Sequence, residues 1–257
     1  MSKEKDYASS ALVTKKEKVI NVIVFIALCL GAVVMVFPLI YMVATSFMTK
    51  NQILSGTLTL FPDPILIGKY SEVLQKGEFI RGIINSLKVA IPLLIIGGFT
   101  SALAAFGFAK MQFRGKGILF LALLATIMIP FAVVMIPQYV MFTKLGWTNS
   151  LLPLILPGCF GNVSMIFFPL MKGAFGTQLM LWFMGIWNDY LAPTIFLRSE
   201  KNWTLQVVIR SFNSYYAIQS DYALIMAASV IAMIPTMLLF FIFQRVIIES
   251  IAISGIK

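Results

Sequence analysis

Six long stretches of this chain carry no charged side chain: Val19–Thr49, Val89–Ala109, Gly117–Thr143, Leu145–Met171, Gly173–Asn188 and Tyr222–Gln244. An α-helix needs roughly twenty apolar residues to cross the hydrocarbon core of a bilayer. Only helices and closed barrels satisfy their backbone hydrogen bonds there. A chain built of such runs is confined to an all-α fold, a polytopic transmembrane helical bundle of six spans.

Composition agrees with that reading. Of 257 residues, 60% are hydrophobic and 12% charged, and the mean hydropathy is +0.92. A soluble domain carries about a quarter charged residues, because its surface meets water. The net charge of +10 points to membrane orientation, and no nucleic acid is expected as a partner. Lys3, Lys5, Lys15, Lys16 and Lys18 crowd the N-terminus, and Lys110, Arg114 and Lys116 share one short turn. Basic clusters beside apolar runs mark the cytoplasmic side. The basic residues between 50 and 88 count for less, because that loop is long and also carries Asp63, Glu72 and Glu78.

The expected organisation is a cytoplasmic N-terminus (1–18), a first span (19–48), an extracytoplasmic loop (49–85), a core (86–249) and a cytoplasmic tail (250–257). The core holds spans at about 88–109, 117–142, 148–168, 173–193 and 222–244. The first run is too long for the apolar segment of a cleaved signal and lacks a small-residue cleavage pattern, so it reads as a span. Both termini are then cytoplasmic. Lys172 interrupts an otherwise continuous apolar stretch. A tight turn through Phe168-Pro169-Leu170-Met171-Lys172-Gly173 lets its ammonium reach the headgroups.

The chemistry of common enzymes is missing. Histidine is absent, which removes the commonest general base and metal ligand. No phosphate loop of the form G-x-x-x-x-G-K-[ST] occurs, and no nucleophile elbow. Cys29 and Cys159 both lie in apolar runs and read as small buried hydrophobes, not as a disulfide or metal site. No catalytic residue, metal or cofactor is expected, so any energy source lies on another chain or in an ion gradient.

Few polar residues remain near the spans. Trp187, Asn188, Asp189 and Tyr190 end the fifth run. They read as an interfacial anchor, or as a stretch whose Asn188 and Asp189 face a solute path. Asn162 and Ser164 in span four and Gln178 in span five can line a cavity or bond across the helix pair. Gly97, Ser101, Ala105 and Ala109 recur every four residues, a stripe of small side chains that lets another helix approach closely. It serves packing within the bundle or contact with another subunit.

On these residues the chain resembles the inner-membrane permeases of carbohydrate ABC importers, the MalG-like partner of the maltose-type pair. The resemblance runs nearly end to end. It is carried by Thr126–Pro137 with Lys144-Leu145-Gly146 and Asn149, by Gly185–Pro193, by Trp203-Thr204-Leu205, by Ala227-Ala228 and by Phe243-Gln244-Arg245. Leu60-Phe61-Pro62, Tyr70 and Asn85-Ser86-Leu87 also fit. It implies the type I ABC importer permease fold in the plasma membrane. The implied role is a sugar path shared with a second permease subunit, served by an extracytoplasmic sugar-binding protein, powered by a cytoplasmic ATPase dimer and surrounded by lipid. The chain itself performs no catalysis in such a complex. The tail, with Gly255 and Lys257, resembles the family segment that approaches the ATPases.

One departure stands out. The family's cytoplasmic loop between spans four and five, marked by an EAA pattern, forms a helix that docks on the ATPase. Here Ile166-Phe167-Phe168 runs directly into Pro169-Leu170-Met171-Lys172, and no Glu-Ala-Ala occurs. A chain lacking that loop is expected to couple poorly to ATP hydrolysis. Two other readings of the sequence are a secondary transporter, disfavoured by the lack of an internal repeat, and a non-transporting membrane scaffold.

Overall fold

In the computed structural model of the chain, residues 15–161, 175–213 and 221–255 are described. Every regular element among them is helical: α1 Lys15–Ser46, α2 Lys50–Leu54, α3 Gly68–Gln75, α4 Gly77–Pro92, α5 Gly98–Lys110, α6 Lys116–Ile127, α7 Phe131–Lys144, α8 Leu152–Gly161, α9 Phe175–Trp187, α10 Leu191–Phe196, α11 Leu205–Ser211 and α12 Tyr222–Gly255. A π-helical turn, Leu93–Gly97, joins α4 to α5, and a 3-10 turn covers Glu200–Asn202.

Among the described residues, three helices are long and apolar enough to cross a bilayer: Glu17–Ser46, the combined Gly77–Lys110 and Tyr222–Arg245. A fourth crossing forms if α6 and α7, bent by 96° at their junction, act as one broken span. Their outer surfaces are apolar. Phe25, Val34, Met35, Ile118 and Met128 are all more than 45% exposed. So continuous an apolar exterior belongs against lipid.

Two boundaries differ from the sequence reading. The second span begins at Gly77, because Arg81 and Lys88 sit on the exposed side of α4 while Phe79, Gly82, Asn85, Ser86, Val89 and Ala90 form its buried face. The run expected as a straight span over 117–142 breaks at Pro130. Proline lacks the N–H that would continue the ladder and disfavours helical geometry in the residue before it.

The interior is narrow. Phe79 and Val73 meet Leu205 and Val208 of α11, and Trp187 and Phe183 of α9 meet Ala227, Ala228 and Ala232 of α12. The close approaches need glycine. A Cβ on Gly82 would lie 3.0 Å from Cγ2 of Val208, and one on Gly97 would lie 2.3 Å from Cη2 of Trp182 and 3.0 Å from the carbonyl oxygen of Gly158. In the small-residue stripe, Gly97, Ser101 and Ala105 are buried, whereas Ala109 is exposed. The buried part of the stripe packs against helices of this same chain, α8 and α9.

Three polar bridges gather distant loops at one end of the bundle. Lys69 pairs with Asp221 at 2.5 Å and with Glu72 at 2.9 Å, tying α3 to the start of α12. Burial works against the Lys69 ammonium, but the hydrogen bonds and charges of Asp221 and Glu72 outweigh it and hold the group above the ordinary lysine range. Asn85 donates to the carbonyls of Lys201 and Trp203, both at 2.9 Å. Asn149, with φ 60°, is the densest of the three. Its N–H donates to the Phe196 carbonyl at 2.8 Å, its amide donates to Ser199 Oγ at 2.7 Å, and its Oδ1 accepts from the N–H groups of Arg198 and Ser199. Asn202 donates to the carbonyl of Asn149.

Candidate functional site

The polar residues at the end of α9 separate from one another. Helix α9 closes at Trp187, with the N–H of Asn188 still bonded to the Met184 carbonyl and that of Asp189 to the Ile186 carbonyl. Trp187 is 2% exposed. Its ring stacks on Phe183 with centroids 5.5 Å apart, and its Nε1 donates to the carbonyl of Ala232 at 2.9 Å. A buried indole needs such a partner. This is a core position. Asn188 and Asp189 line two different spaces.

Asn188 opens onto a groove of about 340 Å³ between α1, α11 and α12. Leu39 and Met42 form its apolar wall, and Gln206, Ser229 and Thr236 join Asn188 as its polar lining. Ser229 and Thr236, seven residues apart, share one face of α12. Each polar group is held by a local bond. Asn188 donates to the Met184 carbonyl at 2.9 Å, and Gln206 donates to Asn188 Oδ1 and to the Trp187 carbonyl, both at 3.3 Å. The hydroxyls of Ser229 and Thr236 donate to the carbonyls of Ile225 and Met233 at 2.8 and 2.7 Å. With those donors engaged, the groove presents the oxygens of Gln206, Ser229 and Thr236 as acceptors, plus the second N–H of Asn188. No ionisable side chain among the described residues lines it. Such a surface suits a neutral, hydroxyl-rich solute.

Asp189 faces a smaller cavity of about 240 Å³ together with Ser86, Gln138 and Thr204, under walls that include Phe131 and Phe196. Its Oδ1 accepts the N–H of Ala192 at 3.3 Å, capping the start of α10. Ser86 Oγ accepts the N–H of Leu205 at 2.9 Å. The Thr204 hydroxyl is buried and has no hydrogen-bond partner among the described residues.

The remaining expected residues fall elsewhere. Gln178 is 9% exposed inside α9. Its expected companions Asn162 and Ser164, the turn at 168–173 and the tail residue Lys257 lie outside the described residues. Gly255 closes α12. Sequence reasoning does not single out Gln206, Ser229, Thr236, Thr204, Ser86 or Gln138 as site residues. The seven-residue spacing of Ser229 and Thr236 inside an apolar span is a usable signal; the others need the fold.

The chain matches no family model, but curated relatives align along most of its length. The permease protein AraQ of an arabinooligosaccharide transport system from Halalkalibacterium halodurans is 24% identical over 95% of this chain and 99% of its own. The lactose transport permease LacG from Rhizobium radiobacter is 24% identical over 93% and 97%. MsmG, the permease of a multiple sugar-binding transport system from Streptococcus mutans, is 25% identical over 95% and 100%. The 277-position alignment with AraQ takes in 95% of this chain's 257 residues, about 244, so at about 33 positions that relative has a residue and this chain has none. Among solved structures, a chain of a bacterial ABC transporter involved in import of the acidic polysaccharide alginate superposes with a TM-score of 0.73 at 17% identity, covering 91% of this chain and 98% of its own. The fold is therefore that of an ABC importer chain, and the resemblance read from the sequence holds. Neither the secondary transporter nor the membrane scaffold gains support from these relatives.

Proposed function

We propose that this chain is a permease subunit of an ATP-driven carbohydrate importer, contributing half of a sugar path and no catalysis. The observation that carries the proposal is the neutral acceptor-rich groove at Asn188, Gln206, Ser229 and Thr236, set in a chain whose relatives are permeases of sugar transport systems. Polar groups placed to hydrogen-bond a solute's hydroxyls favour it over solutes lacking them. The path runs on the Asn188 side of α9, with Trp187 as the core residue that fixes the end of that helix.

In this proposal the chain crosses the plasma membrane six times with both termini cytoplasmic. The three bridges support that count, because they hold 69–85, 149 and 196–221 at one end of the bundle. The segment between Asn149 and Phe196 then crosses an even number of times, as α8 and α9 do if they form a hairpin. The partners are a second permease subunit, a cytoplasmic ATPase dimer and an extracytoplasmic sugar-binding protein, with membrane lipid around the apolar exterior. The tail at Gly255 and Lys257 lies on the ATPase side.

The shortfall of about 33 positions against AraQ supports a missing EAA loop, and with it impaired coupling. Reconstitution with the partner subunits tests both parts. Binding-protein-dependent sugar uptake that rises when an EAA loop is inserted after Phe168 is the expected result. Full sugar-stimulated ATP hydrolysis by the chain as it stands would refute the coupling defect. Absence of uptake even with the loop restored would refute the permease assignment.

A further inference from the structure

The Asp189 cavity has a charge to balance. Its carboxylate is half-buried and accepts the backbone N–H groups of Ala192 and Leu191 at the start of α10. Such a cap orients the carboxylate but supplies no opposite charge. Among the described residues no cationic side chain forms an ion pair with Asp189, and none lines its cavity. A half-buried carboxylate without a counter-charge is costly in apolar surroundings.

Three further oxygen-bearing side chains line the same space: Ser86, Gln138 and Thr204. Thr204 is 5% exposed, and its hydroxyl has no hydrogen-bond partner among the described residues. Buried hydroxyls are ordinarily paired, so an orphan beside a lone carboxylate marks a place where something else supplies the partner. The donors are hard oxygens without thiolate or imidazole, the set that hard cations prefer. One formal negative charge matches one positive charge, whereas a divalent ion would leave an excess charge among apolar walls. At about 240 Å³ the cavity exceeds a bare ion and leaves space for several waters at about 30 Å³ each.

The geometry points to a binding site for a partly hydrated monovalent cation, sodium or potassium, held by Asp189, Thr204, Gln138 and Ser86 between α4, α7 and α11. The ion would join the start of α10 to the α4–α11 pair. Its role is to stabilise the core beside the groove, and it requires neither sugar nor nucleotide.

Thermal unfolding of the full-length chain in detergent, in NaCl, KCl or N-methylglucamine chloride at equal ionic strength, tests this. One of the two metal chlorides should raise the midpoint by about 3 °C at concentrations well above the dissociation constant. Asp189→Asn should lose that response. Thr204→Val is the sharper probe. It is nearly isosteric and removes an unpartnered hydroxyl, so a purely structural role predicts an unchanged or raised midpoint in every salt. The cation site predicts a diminished salt response with the N-methylglucamine midpoint preserved. Equal midpoints for wild type in all three salts overturn the site and leave ordered water only, as does an undiminished response in Thr204→Val or in folded Asp189→Asn. Because no sugar or ATPase enters the assay, its outcome is separate from that of the transport proposal.

Discussion

The Nε1 of Trp187 donates to the carbonyl oxygen of Ala232 across 2.9 Å, joining α9 to α12 inside the core. Pro235, about one turn further along α12, lacks the N–H that would bond to the Ile231 carbonyl, and the indole holds the neighbouring turn to α9. Trp187→Phe keeps the stacked ring and removes the bond. It should destabilise the protein by about 1–2 kcal/mol, read as a lower thermal midpoint in detergent.

Gly97 sits where a Cβ would meet Cη2 of Trp182 at 2.3 Å. Gly97→Ala should cost about 1–3 kcal/mol through overpacking. Trp182→Leu in the same chain should return part of that loss, a coupling that a double-mutant cycle measures.

Gln206 bridges Asn188 and the Trp187 carbonyl at the groove. In the complex with the EAA loop restored, Gln206→Leu should lower sugar uptake at least about tenfold, in line with roughly 1.4 kcal/mol. Its thermal midpoint should shift little, because the side chain is only half-buried.

Lys69 holds Asp221 and Glu72 together outside the spans. Lys69→Met should cost about 1 kcal/mol or less, since the pair is partly exposed. Because the folded-state pKa lies above 10.5, this contribution is fully present below that value and is lost as pH rises through the higher one. The difference between variant and wild type should stay constant through neutral pH and shrink only in strongly alkaline buffer.

Asn149 combines a left-handed backbone with its clasp on 196–202. Asn149→Ala loses the side-chain bonds and adds backbone strain of about 1–2 kcal/mol, whereas Asn149→Gly loses only the bonds. Stability should fall in the order wild type, glycine variant, alanine variant.

Much of this architecture is legible as runs of uncharged residues, because lipid imposes a length and a composition on any helix within it. What the runs conceal is periodicity and punctuation. Arg81 and Lys88 read as the end of a span, yet they ride on the outer face of one continuous helix. Pro130 lies inside an apolar run whose composition gives no sign of a 96° bend. At the site, the GIWND stretch stands out in the sequence, but its adjacent polar residues suggest a shared role. Yet Trp187 turns inward, Asn188 lines a groove and Asp189 lines a separate cavity. Adjacent residues near a helix end point in different directions, about 100° apart in α-helical geometry, and which space each meets depends on the packing around it. Gln206 escapes notice because it lies outside the apolar runs, and only the packing of α11 beside α12 carries it to Asn188.

The groove at Asn188 is lined without a single ionisable side chain among the described residues. A voltage across the membrane acts on charges that move through it, at about 2.3 kcal/mol per elementary charge per 100 mV. An uncharged solute passing a lining of amides and hydroxyls offers that field nothing to grip. On the proposed sugar path the solute carries no charge through the field, and dissipating the membrane potential while ATP is held constant should leave its uptake rate unchanged.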